Sequence, residues 1–321
     1  MPIVIRVCYK APLTLGHGNF VAHTKIISMN ASPNDPPMDA QWVLDQLPLV
    51  TFFCENDEYY TIRYAAASGG GAFGYKLTDF IDNRNRFAVS ALEQSDLRVM
   101  EQATEQALLG TSPVVARLRI RDVSDRPLAL LLMLHGVFDR SEKLLGLAGM
   151  AVDLRRVPAL DGEYEVLTPR GHDAIWTHKT EPPAQINAEW LVDLLPLSTY
   201  FAENDPFFTE RFVRGPIYRQ LGYTPEQMLD GKKMIGATVI DPADEDLADD
   251  HVEETSRSGT VRTAVRLHAI HAKGHQVPML AFTQGVRHPV TFKPGLVGAV
   301  LDLTTAPQLQ GKSRMWRMLE P

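Results

Sequence analysis

The sequence predicts an α+β protein made of two copies of one domain, each an antiparallel sheet with short helices over one face. The phrase LPLVTFFCENDEYYTIRY at 47–64 returns as LPLSTYFAENDPFFTERF at 195–212, which is 148 positions later and has ten identical letters. Runs of β-branched and aromatic residues at both ends of each copy predict strands, and helical periodicity between them predicts helices. The order helix, two strands, helices, three strands is typical of an α+β domain.

The repeat extends well beyond this phrase. QWVLDQLPL at 41–49 matches EWLVDLLPL at 189–197, and from about residue 117 onward the offset becomes 149, so that GMAVDL matches GAVLDL at the end of each copy. Such constancy indicates a duplicated domain. The predicted boundaries are 1–40 for an N-terminal preface, 41–155 for domain 1, 156–188 for a connector and preface of the second unit, 189–305 for domain 2 and 306–321 for a C-terminal tail.

The sequence of each copy contains local patterns that predict its helices and strands. Asp39 and Asn187 can cap the leading amphipathic helices. Two strands follow, then short helices and a longer one, and three strands close each domain. The closing strands are VVARLRIRDV, PLALLLMLHGVFD and KLLGLAGMAVDLRR in domain 1, and VRTAVRLHAIHA, VPMLAFTQGV and GLVGAVLDLTT in domain 2. In the first of them Arg117, Arg119 and Arg121 alternate with apolar residues, which predicts a strand with one solvated face.

Composition narrows the class of protein. The net charge of −7 and the pI of about 5.8 argue against nucleic acid as a partner, because no basic surface is available for phosphates. Cys8 and Cys54 are the only cysteines in the sequence, which excludes a disulfide framework and favours the cytoplasm. The sequence has no run of eighteen apolar residues and no recognisable signal peptide at its start, so no membrane partner is expected.

Several motifs resemble the PAS family of sensor domains. They are LGYTPEQMLDG at 221–231, DPADED at 241–246 and GAVLDLT at 298–304, with FGYKLTDFID at 73–82 and GMAVDLRR at 149–156 in the first copy. The resemblance covers about three quarters of the chain. It implies a five-stranded antiparallel sheet around a cavity beneath the helices, which binds a small ligand or cofactor or supports dimerisation. It also implies sensing and signal relay rather than catalysis.

The long helix of each domain supplies the candidate ligand-binding residues. Helical spacing places Leu247, Ala248, His251 and Thr255 on one face in domain 2, and Met100 and Ala103 on the matching face in domain 1. The resemblance includes haem sensors that use a histidine on this helix, so His251 is a candidate axial ligand. The alternative is a hydrogen-bonded core histidine. A noncovalent flavin also stays open, whereas Asn85 stands where light-sensing relatives carry their flavin-reactive cysteine.

Other patterns have structural explanations. Gly69, Gly71 and Gly74 have G-x-G-x-x-G spacing, but the second copy keeps only Gly222, so a flexible helix entry is favoured over a dinucleotide site. We interpret RLHAIHAKGH as a solvated hairpin because its three histidines cannot converge on one metal ion. Paired histidines six residues apart form a weak candidate metal site at His17, His23, His172 and His178.

The sequence thus predicts a cytoplasmic tandem PAS sensor that binds a small molecule. No P-loop, G-x-S-x-G or H-E-x-x-H motif occurs, so an enzyme is not expected. Signalling would proceed through a homodimer or a partner protein, with Trp42 and Trp190 as candidates for the contact surface, although each could pack on its own sheet. The alternatives are the sensory fragment of a larger histidine kinase or diguanylate cyclase, and a ligand-free PAS dimerisation scaffold.

Overall fold

The computed structural model describes most of the chain from residue 39 onward. The described ranges are 39–57, 59–68, 71–82, 89–109, 113–169, 180–195, 197–205, 208–216, 221–229, 238–256 and 261–319. All of them lie in one compact unit, Pro36–Pro321. Residues 1–38, which the sequence predicts as the preface of domain 1, lie outside this description, as do Cys8, Gly69, Asn85 and the four candidate metal-binding histidines.

Domain 1 follows the predicted order of elements. Its elements are α1 (Ala40–Gln46), β1 (Val50–Glu55), β2 (Ile62–Ala67), the short pair β3 (Gly71–Ala72) and β4 (Tyr75–Lys76), α2 (Leu97–Leu108), β5 (Val114–Arg121), β6 (Pro127–Phe138) and β7 (Leu144–Asp153). Short 3₁₀ turns precede α2 and follow β4. The five long strands form one antiparallel sheet in the order β2-β1-β7-β6-β5.

Domain 2 repeats this order. Its elements are α3 (Ala188–Leu194), β8 (Ser198–Glu203), β9 (Glu210–Arg214), α4 (Pro225–Met228), α5 (Glu245–Ser256), β10 (Arg262–Ile270), β11 (Gln276–Arg287), β12 (Pro294–Asp302) and β13 (Arg314–Arg317). The sheet order β13-β10-β11-β12-β8-β9 is that of domain 1 with one added edge strand. Both domains therefore have the α+β fold that the repeat and the PAS resemblance predict.

The shared phrase has the same local role in both copies. Asp39 accepts a hydrogen bond from the backbone N of Trp42, and Asn187 accepts one from that of Trp190, each at 2.9 Å. These contacts satisfy donors that a helix start leaves unpaired. Leu47 and Leu195 then leave the helix in extended backbone and lead into the first strand. The predicted caps are thus confirmed.

Alternation along the strands gives each sheet two apolar faces. One face lies beneath the helices of its own domain, and the other joins a core shared by both domains. Aromatic pairs cross this shared core reciprocally, Trp42 with Phe201 at 5.5 Å between centroids and Phe53 with Trp190 at 4.9 Å. Since both partners of one pair lie 148 positions from those of the other, the contact is pseudo-symmetric, like an isologous dimer interface within one chain.

The segment after β7 differs from its predicted role as a preface of domain 2. Leu167 donates its backbone N–H to Val115 at 2.8 Å, Val166 bridges Ala116, and the 3₁₀ turn Pro158–Leu160 covers Arg117. The described residues 157–168 therefore lie on the edge of sheet 1. The tail 306–318 does the same for domain 2, because Pro307–Leu309 and β13 stand 149 positions further on.

This edge segment contradicts the prediction of a solvated arginine face at Arg117, whereas Arg119 and Arg121 on the same face are partly exposed. Arg117 is 7% exposed and donates through Nε to the carbonyl of Leu160 at 2.8 Å. Its counterpart Arg266 donates to the carbonyl of Leu309 at 2.8 Å. The strand does alternate as its sequence indicates, but residues distant in sequence supply carbonyl partners for the Arg117 guanidinium, which can therefore be buried.

Candidate functional site

Cavity 1 lies between the sheet of domain 1 and its helices and has a volume of about 140 Å³. Strands β1, β2, β5, β6 and β7 contribute one face each, and α2 contributes Met100. The lining is Val50, Phe52, Cys54, Tyr60, Ile62, Ala65, Phe73, Leu77, Phe80, Ala91, Leu92, Met100, Leu118, Ile120, Leu130, Leu132, Leu134, Leu147 and Ala151. No charged side chain is among these described residues.

The polar atoms in cavity 1 are few. The Cys54 thiol is buried and donates to the carbonyl of Leu147 at 3.7 Å. Burial raises the pKa of Cys54 to about 12, so the thiol is neutral and unreactive at physiological pH. Met100 lies on the cavity wall as part of the predicted stripe, while Ala103 is buried in the adjoining core of domain 1. The chemistry of cavity 1 is therefore that of a hydrocarbon pocket.

Cavity 2 occupies the equivalent place in domain 2, with a volume of about 120 Å³. Its described lining is Tyr200, Ala202, Phe208, Glu210, Leu221, Val239, Ile240, Ala248, Asp249, His251, Val252, Val265, Leu267, Met279, Ala281, Leu296 and Val300. Ala248 and His251 of the predicted stripe line this cavity. Leu247 packs against the adjacent core, and Thr255 is fully buried behind His251.

His251 is held by threonines on both sides. Its Nδ1 lies 3.1 Å from the Thr263 hydroxyl and its Nε2 lies 3.2 Å from the Thr283 hydroxyl. Thr263 is in turn 2.7 Å from the Thr255 hydroxyl, which donates to the backbone carbonyl of His251 at 2.6 Å. At the other end the Tyr200 hydroxyl lies 3.2 Å from Thr283. We call these five residues the histidine network.

The hydrogen bonds of the network have one consistent assignment of donors and acceptors when the imidazole is neutral. Thr255 donates its only hydroxyl proton to a carbonyl, so it accepts from Thr263. Thr263 must then accept from Nδ1–H, which leaves Nε2 as the acceptor for Thr283. Thr283 accepts from Tyr200 in the same way. The neutral Nδ1–H tautomer thus satisfies every member.

Electrostatics favour this neutral form. Burial lowers the pKa of His251 to about 4, because the apolar surroundings penalise the imidazolium. Burial also raises the pKa of Tyr200 to about 12, with a contribution from the nearby charge of Glu210. Both groups therefore keep their protons fixed across the physiological range.

Haem does not fit the residues of domain 2. An axial histidine needs a free ring nitrogen, whereas both nitrogens of His251 are engaged by threonines. The cavity of about 120 Å³ is also smaller than the 300–1,000 Å³ or so that ligand pockets of drug-sized molecules occupy. His251 is thus the hydrogen-bonded core residue that the sequence left as the alternative.

A flavin does not fit cavity 1 either. A pocket for a polar ring system carries a few well-placed hydrogen-bonding groups. The described lining of cavity 1 offers only the Cys54 thiol and the Tyr60 hydroxyl, in about 140 Å³.

The remaining histidines of domain 2 have structural partners. His268 contacts Asp244 through Nδ1 at 3.0 Å, as Arg119 contacts Asp96 in domain 1. His271 and His275 stack at the hairpin tip with centroids 4.2 Å apart. Within the described residues, no group of three or more potential metal ligands was found. His17, His23, His172 and His178 lie outside the described residues, so the two-histidine metal site stays a prediction.

The glycine run has a steric explanation where it is described. Gly74 has a φ of +84° and Gly222 one of +80°. A Cβ at Gly74 would come within 2.6 Å of Val123, and one at Gly222 within 2.9 Å of Ala272, which is the matching position. Both glycines are thus required by a left-handed turn packed against a hairpin. This supports the structural interpretation of the motif.

Both predicted contact tryptophans lie in the shared core between the domains. Trp42 packs on Phe201 and Trp190 on Phe53, so each contacts a strand of the other domain. Trp190 also donates from Nε1 to the Thr180 hydroxyl at 3.1 Å. Their contact with a second chain stays a prediction.

Sequence reasoning missed four polar residues of the second cavity and its network, which are Tyr200, Glu210, Thr263 and Thr283. The signal was present in the comparison of the copies. At the matching positions of domain 1 stand Phe52, Ile62, Val114 and Leu134. Each of these exchanges replaces an apolar residue with a polar one at a strand position that faces inward.

Comparisons with known proteins add little beyond the fold. No family model and no curated protein matches the chain. Among solved structures, the N-terminal domain of a diguanylate cyclase with a PAS/PAC sensor from Marinobacter aquaeolei is 17% identical, covers 36% of this chain and 99% of its own, and has a TM-score of 0.29.

Two further structures are similar to the same extent. An RNA-binding light-oxygen-voltage receptor is 12% identical over 81% of this chain and 97% of its own, with a TM-score of 0.29. A PAS domain from Colwellia psychrerythraea is 15% identical over 35% of this chain and 91% of its own, with a TM-score of 0.30. Scores at this level carry no argument about ligands or activity.

The strand order and the cavity beneath the helices define the class. The chain has two PAS-like α+β domains, each with its sheet on one side of a cavity. Among the described residues, no helix is both long and apolar enough to cross a membrane.

Proposed function

We propose that this chain is a cytoplasmic sensory or regulatory module in which cavity 1 binds a small apolar molecule. The observation that carries the proposal is the apolar wall around about 140 Å³ of space. An engineered protein cavity of about 150 Å³ with a similar aliphatic and aromatic lining stays dry and binds benzene or xenon. A ligand of about six heavy atoms is therefore the size that cavity 1 suits.

The position of β1 supports a role in sensing. Phe52 and Cys54 line cavity 1, whereas Phe53 between them packs on Trp190 of domain 2. A ligand that displaces the first two side chains acts on the strand that carries the third. We propose that the resulting change in the contact between the domains alters association with a second copy or a partner protein. The proposal includes no catalytic role and no nucleic-acid partner.

The test uses benzene as the probe and a matched pair of filling variants. Ala151→Leu adds three carbon atoms to the wall of cavity 1, and Val300→Leu adds one at the matching position in cavity 2. Benzene should raise the thermal unfolding temperature of the wild type and of Val300→Leu in proportion to its binding. Ala151→Leu should weaken benzene binding by about tenfold, as two-dimensional NMR titration would measure. Equal affinity for both variants would contradict the proposal.

The ligand-free scaffold is the second candidate, and the shared core between the domains favours it. An interface with reciprocal aromatic pairs is the kind of contact that a pure dimerisation module makes. If cavity 1 takes up neither benzene nor xenon, and the chain still associates with a second copy or a partner, the scaffold is supported. Sedimentation analysis with and without benzene separates the two candidates, because only a sensor changes its association on binding.

A further inference from the structure

A third cavity lies at the end of the sheet of domain 1, where β1 begins and β2 and β7 end. This cavity 3 has a volume of about 370 Å³, which is within the 300–1,000 Å³ or so that pockets for small molecules occupy. Val50, Phe73 and Ala151 line both cavity 3 and cavity 1. Cavity 3 differs from cavity 1 because charged side chains also line it, which are Asp153, Arg155 and Arg156.

The guanidinium of Arg155 has donors that no described residue uses. Its Nε and Nη2 donate to the Asp153 carboxylate at 3.1 and 2.8 Å. Its Nη1 lies 3.8 Å from Asp122, which is too far for a hydrogen bond, and no other described residue accepts from it. Because both hydrogens of Nη1 are donors, Arg155 can bind a further acceptor in cavity 3.

Ser68 is a second donor on the wall of cavity 3. Its Oγ accepts a hydrogen bond from Nη2 of Arg262, in domain 2, at 3.2 Å. A hydroxyl that accepts in this way keeps its own proton for another partner, and none of the described residues takes that proton. Ser68 and Arg155 thus both call for an acceptor.

The acidic groups near this wall are already bound by arginines. Asp153 is 8% exposed, and Arg155 donates to both of its oxygens. Asp122 binds Arg126 in a similar way, with 2.9 Å between Oδ2 and Nη2. Arg156 is a second cation among the lining residues. The charged groups of cavity 3 therefore favour an anionic partner over a cationic one.

Domain 2 shows that the fold does not require these donors. Pro216 and Thr304 stand at the positions that match Ser68 and Arg155. The turn after the last strand is nevertheless the same in both domains. The backbone N of Arg155 and that of Thr304 each donate to the aspartate two positions earlier, at 3.0 and 2.7 Å. The side chain of Arg155 is therefore not needed for this turn.

We infer that cavity 3 is a binding site for a small carboxylate that carries an apolar group, with Arg155 as its counter-charge and Ser68 as a hydrogen-bond donor. A carboxylate has two acceptor oxygens and one negative charge, which suit a guanidinium and a hydroxyl. Leu47, Leu49 and Ala67 supply an apolar wall for the rest of the ligand. In proportion to the benzene-sized cavity of about 150 Å³, the volume suits up to about fifteen heavy atoms.

The inference goes beyond the proposed function, because it concerns another cavity and a ligand of different charge. Isothermal titration calorimetry near neutral pH tests it, with sodium 3-phenylpropionate as the probe and 3-phenylpropionamide as its neutral counterpart of the same size. We expect the carboxylate to bind at least about tenfold more tightly than the amide. Sodium chloride at the same concentration should give no binding heat. Equal affinity for the two compounds, or no heat with either, would overturn the inference.

Two-dimensional NMR spectra locate the bound carboxylate. The backbone amides of Ser68 and Arg155 should shift more than that of Met100, which lines cavity 1. Larger shifts at Met100 than at Arg155 would place the ligand in cavity 1 and contradict the inference.

Variants then assign the site. Arg155→Thr introduces the residue type that domain 2 has in the same turn, so we expect the turn to form. This variant should weaken 3-phenylpropionate binding by about tenfold or more and leave amide binding nearly unchanged. Ser68→Ala should weaken carboxylate binding by a smaller factor, on the order of threefold. The control is Arg140→Gln, which removes an exposed arginine outside the cavity lining and should change neither affinity.

The carboxylate and benzene tests have separate outcomes. Unchanged carboxylate affinity in folded Arg155→Thr would exclude Arg155 as the counter-charge and overturn the inference. If Arg155→Thr does not fold, the wild-type preference for the carboxylate and the NMR shifts still decide the question. Because benzene carries no charge, folded Arg155→Thr should bind it as the wild type does. Benzene binding to cavity 1 together with a failed carboxylate test would leave the proposed function standing and remove this inference alone.

Discussion

Cavities 1 and 2 occupy the same place in the same fold, and both have mostly apolar walls, yet the residues on and behind those walls differ in polarity. Where domain 2 has Tyr200, Thr255, Thr263, Thr283 and His251, domain 1 has Phe52, Ala107, Val114, Leu134 and Ala103 at the matching positions. Five polar residues in one copy thus correspond to five apolar residues in the other.

This difference shows how a buried polar group is tolerated in a duplicated fold. One imidazole among apolar residues would leave two nitrogens without partners and cost several kcal/mol, on the order of 2–7. The threonines on α5, β10 and β11 supply those partners, so the five residues form a complete set. The two copies differ at all five positions together. Exchanging only some of these residues, in either direction, would leave a buried hydroxyl or ring nitrogen without a hydrogen-bond partner.

Disrupting the histidine network of domain 2 should give the largest change in the free energy of unfolding. His251→Ala removes the acceptor of Thr283 and the donor to Thr263, and it opens a void, so we expect the free energy of unfolding to fall by about 3–4 kcal/mol. The combined variant Tyr200→Phe, His251→Leu, Thr263→Val, Thr283→Leu replaces these four residues of the network by apolar ones, as in domain 1. It should cost much less, because the buried partners are removed together and the remaining Thr255 hydroxyl still donates to the backbone carbonyl of residue 251.

Urea denaturation of the two variants measures this comparison. A control is His275→Ala at the exposed hairpin tip, which should change the free energy of unfolding by less than about 0.5 kcal/mol. A combined variant that is less stable than His251→Ala would show that the network contributes more than the satisfaction of its members.

The pH dependence of stability sharpens the same comparison. In the folded protein the pKa of His251 is lowered to about 4, against 6.5 in the unfolded chain. The unfolded state therefore binds more protons between these values, and stability must fall as pH falls from about 6.5 toward 4. The contribution of His251 is fully present above the unfolded pKa, and about 3 kcal/mol of it is lost at the lower end.

The wild type and the combined apolar variant should be compared by urea denaturation across this range. Other acidic groups titrate in both proteins, so the difference between the two curves isolates His251. We expect the two stability curves to diverge as the pH is lowered, with the wild type losing more. Parallel curves would mean that the imidazole is not held neutral by burial.

Changes to the aromatic contacts between the domains should have the smallest effect on the free energy of unfolding. They test a feature in which the two copies are alike. Each pair, Trp42 with Phe201 and Trp190 with Phe53, is edge-to-face. Double-mutant cycles to alanine should give coupling energies of about 1 kcal/mol for each pair, and of similar size for both. A large coupling for one pair with none for the other would contradict the pseudo-symmetric contact.

Much of the fold could be predicted from local signals. The caps Asp39 and Asn187, the helices α1 and α3 and the strands on either side of each long helix follow from capping residues and periodicity, which depend on near neighbours in sequence. The burial of Arg117 could not be predicted in this way, because its partner carbonyl belongs to Leu160, 43 residues further on.

The candidate site was less accessible to sequence reasoning. Of the helical stripe, Met100 lines cavity 1 and Ala248 and His251 line cavity 2, while their role in ligand binding stays a prediction. Glu210 was overlooked because one acidic residue in a strand of mixed character reads as solvent-facing until the partner strand and helix are in place. The hydrogen bonds that fix His251, for example, involve residues of α5, β10 and β11, which come together only in the folded chain.

The sequence by itself determined that one α+β domain occurs twice, and where its helices and strands begin, since those features depend on local pattern and on comparison of the copies. Only the tertiary structure decided what His251 does. Its ring nitrogens meet Thr263 and Thr283, which lie 12 and 32 residues away, and this pairing makes it a neutral hydrogen-bonded core residue rather than a haem ligand. Long-range contacts, which no local pattern specifies, gave the second cavity its chemistry.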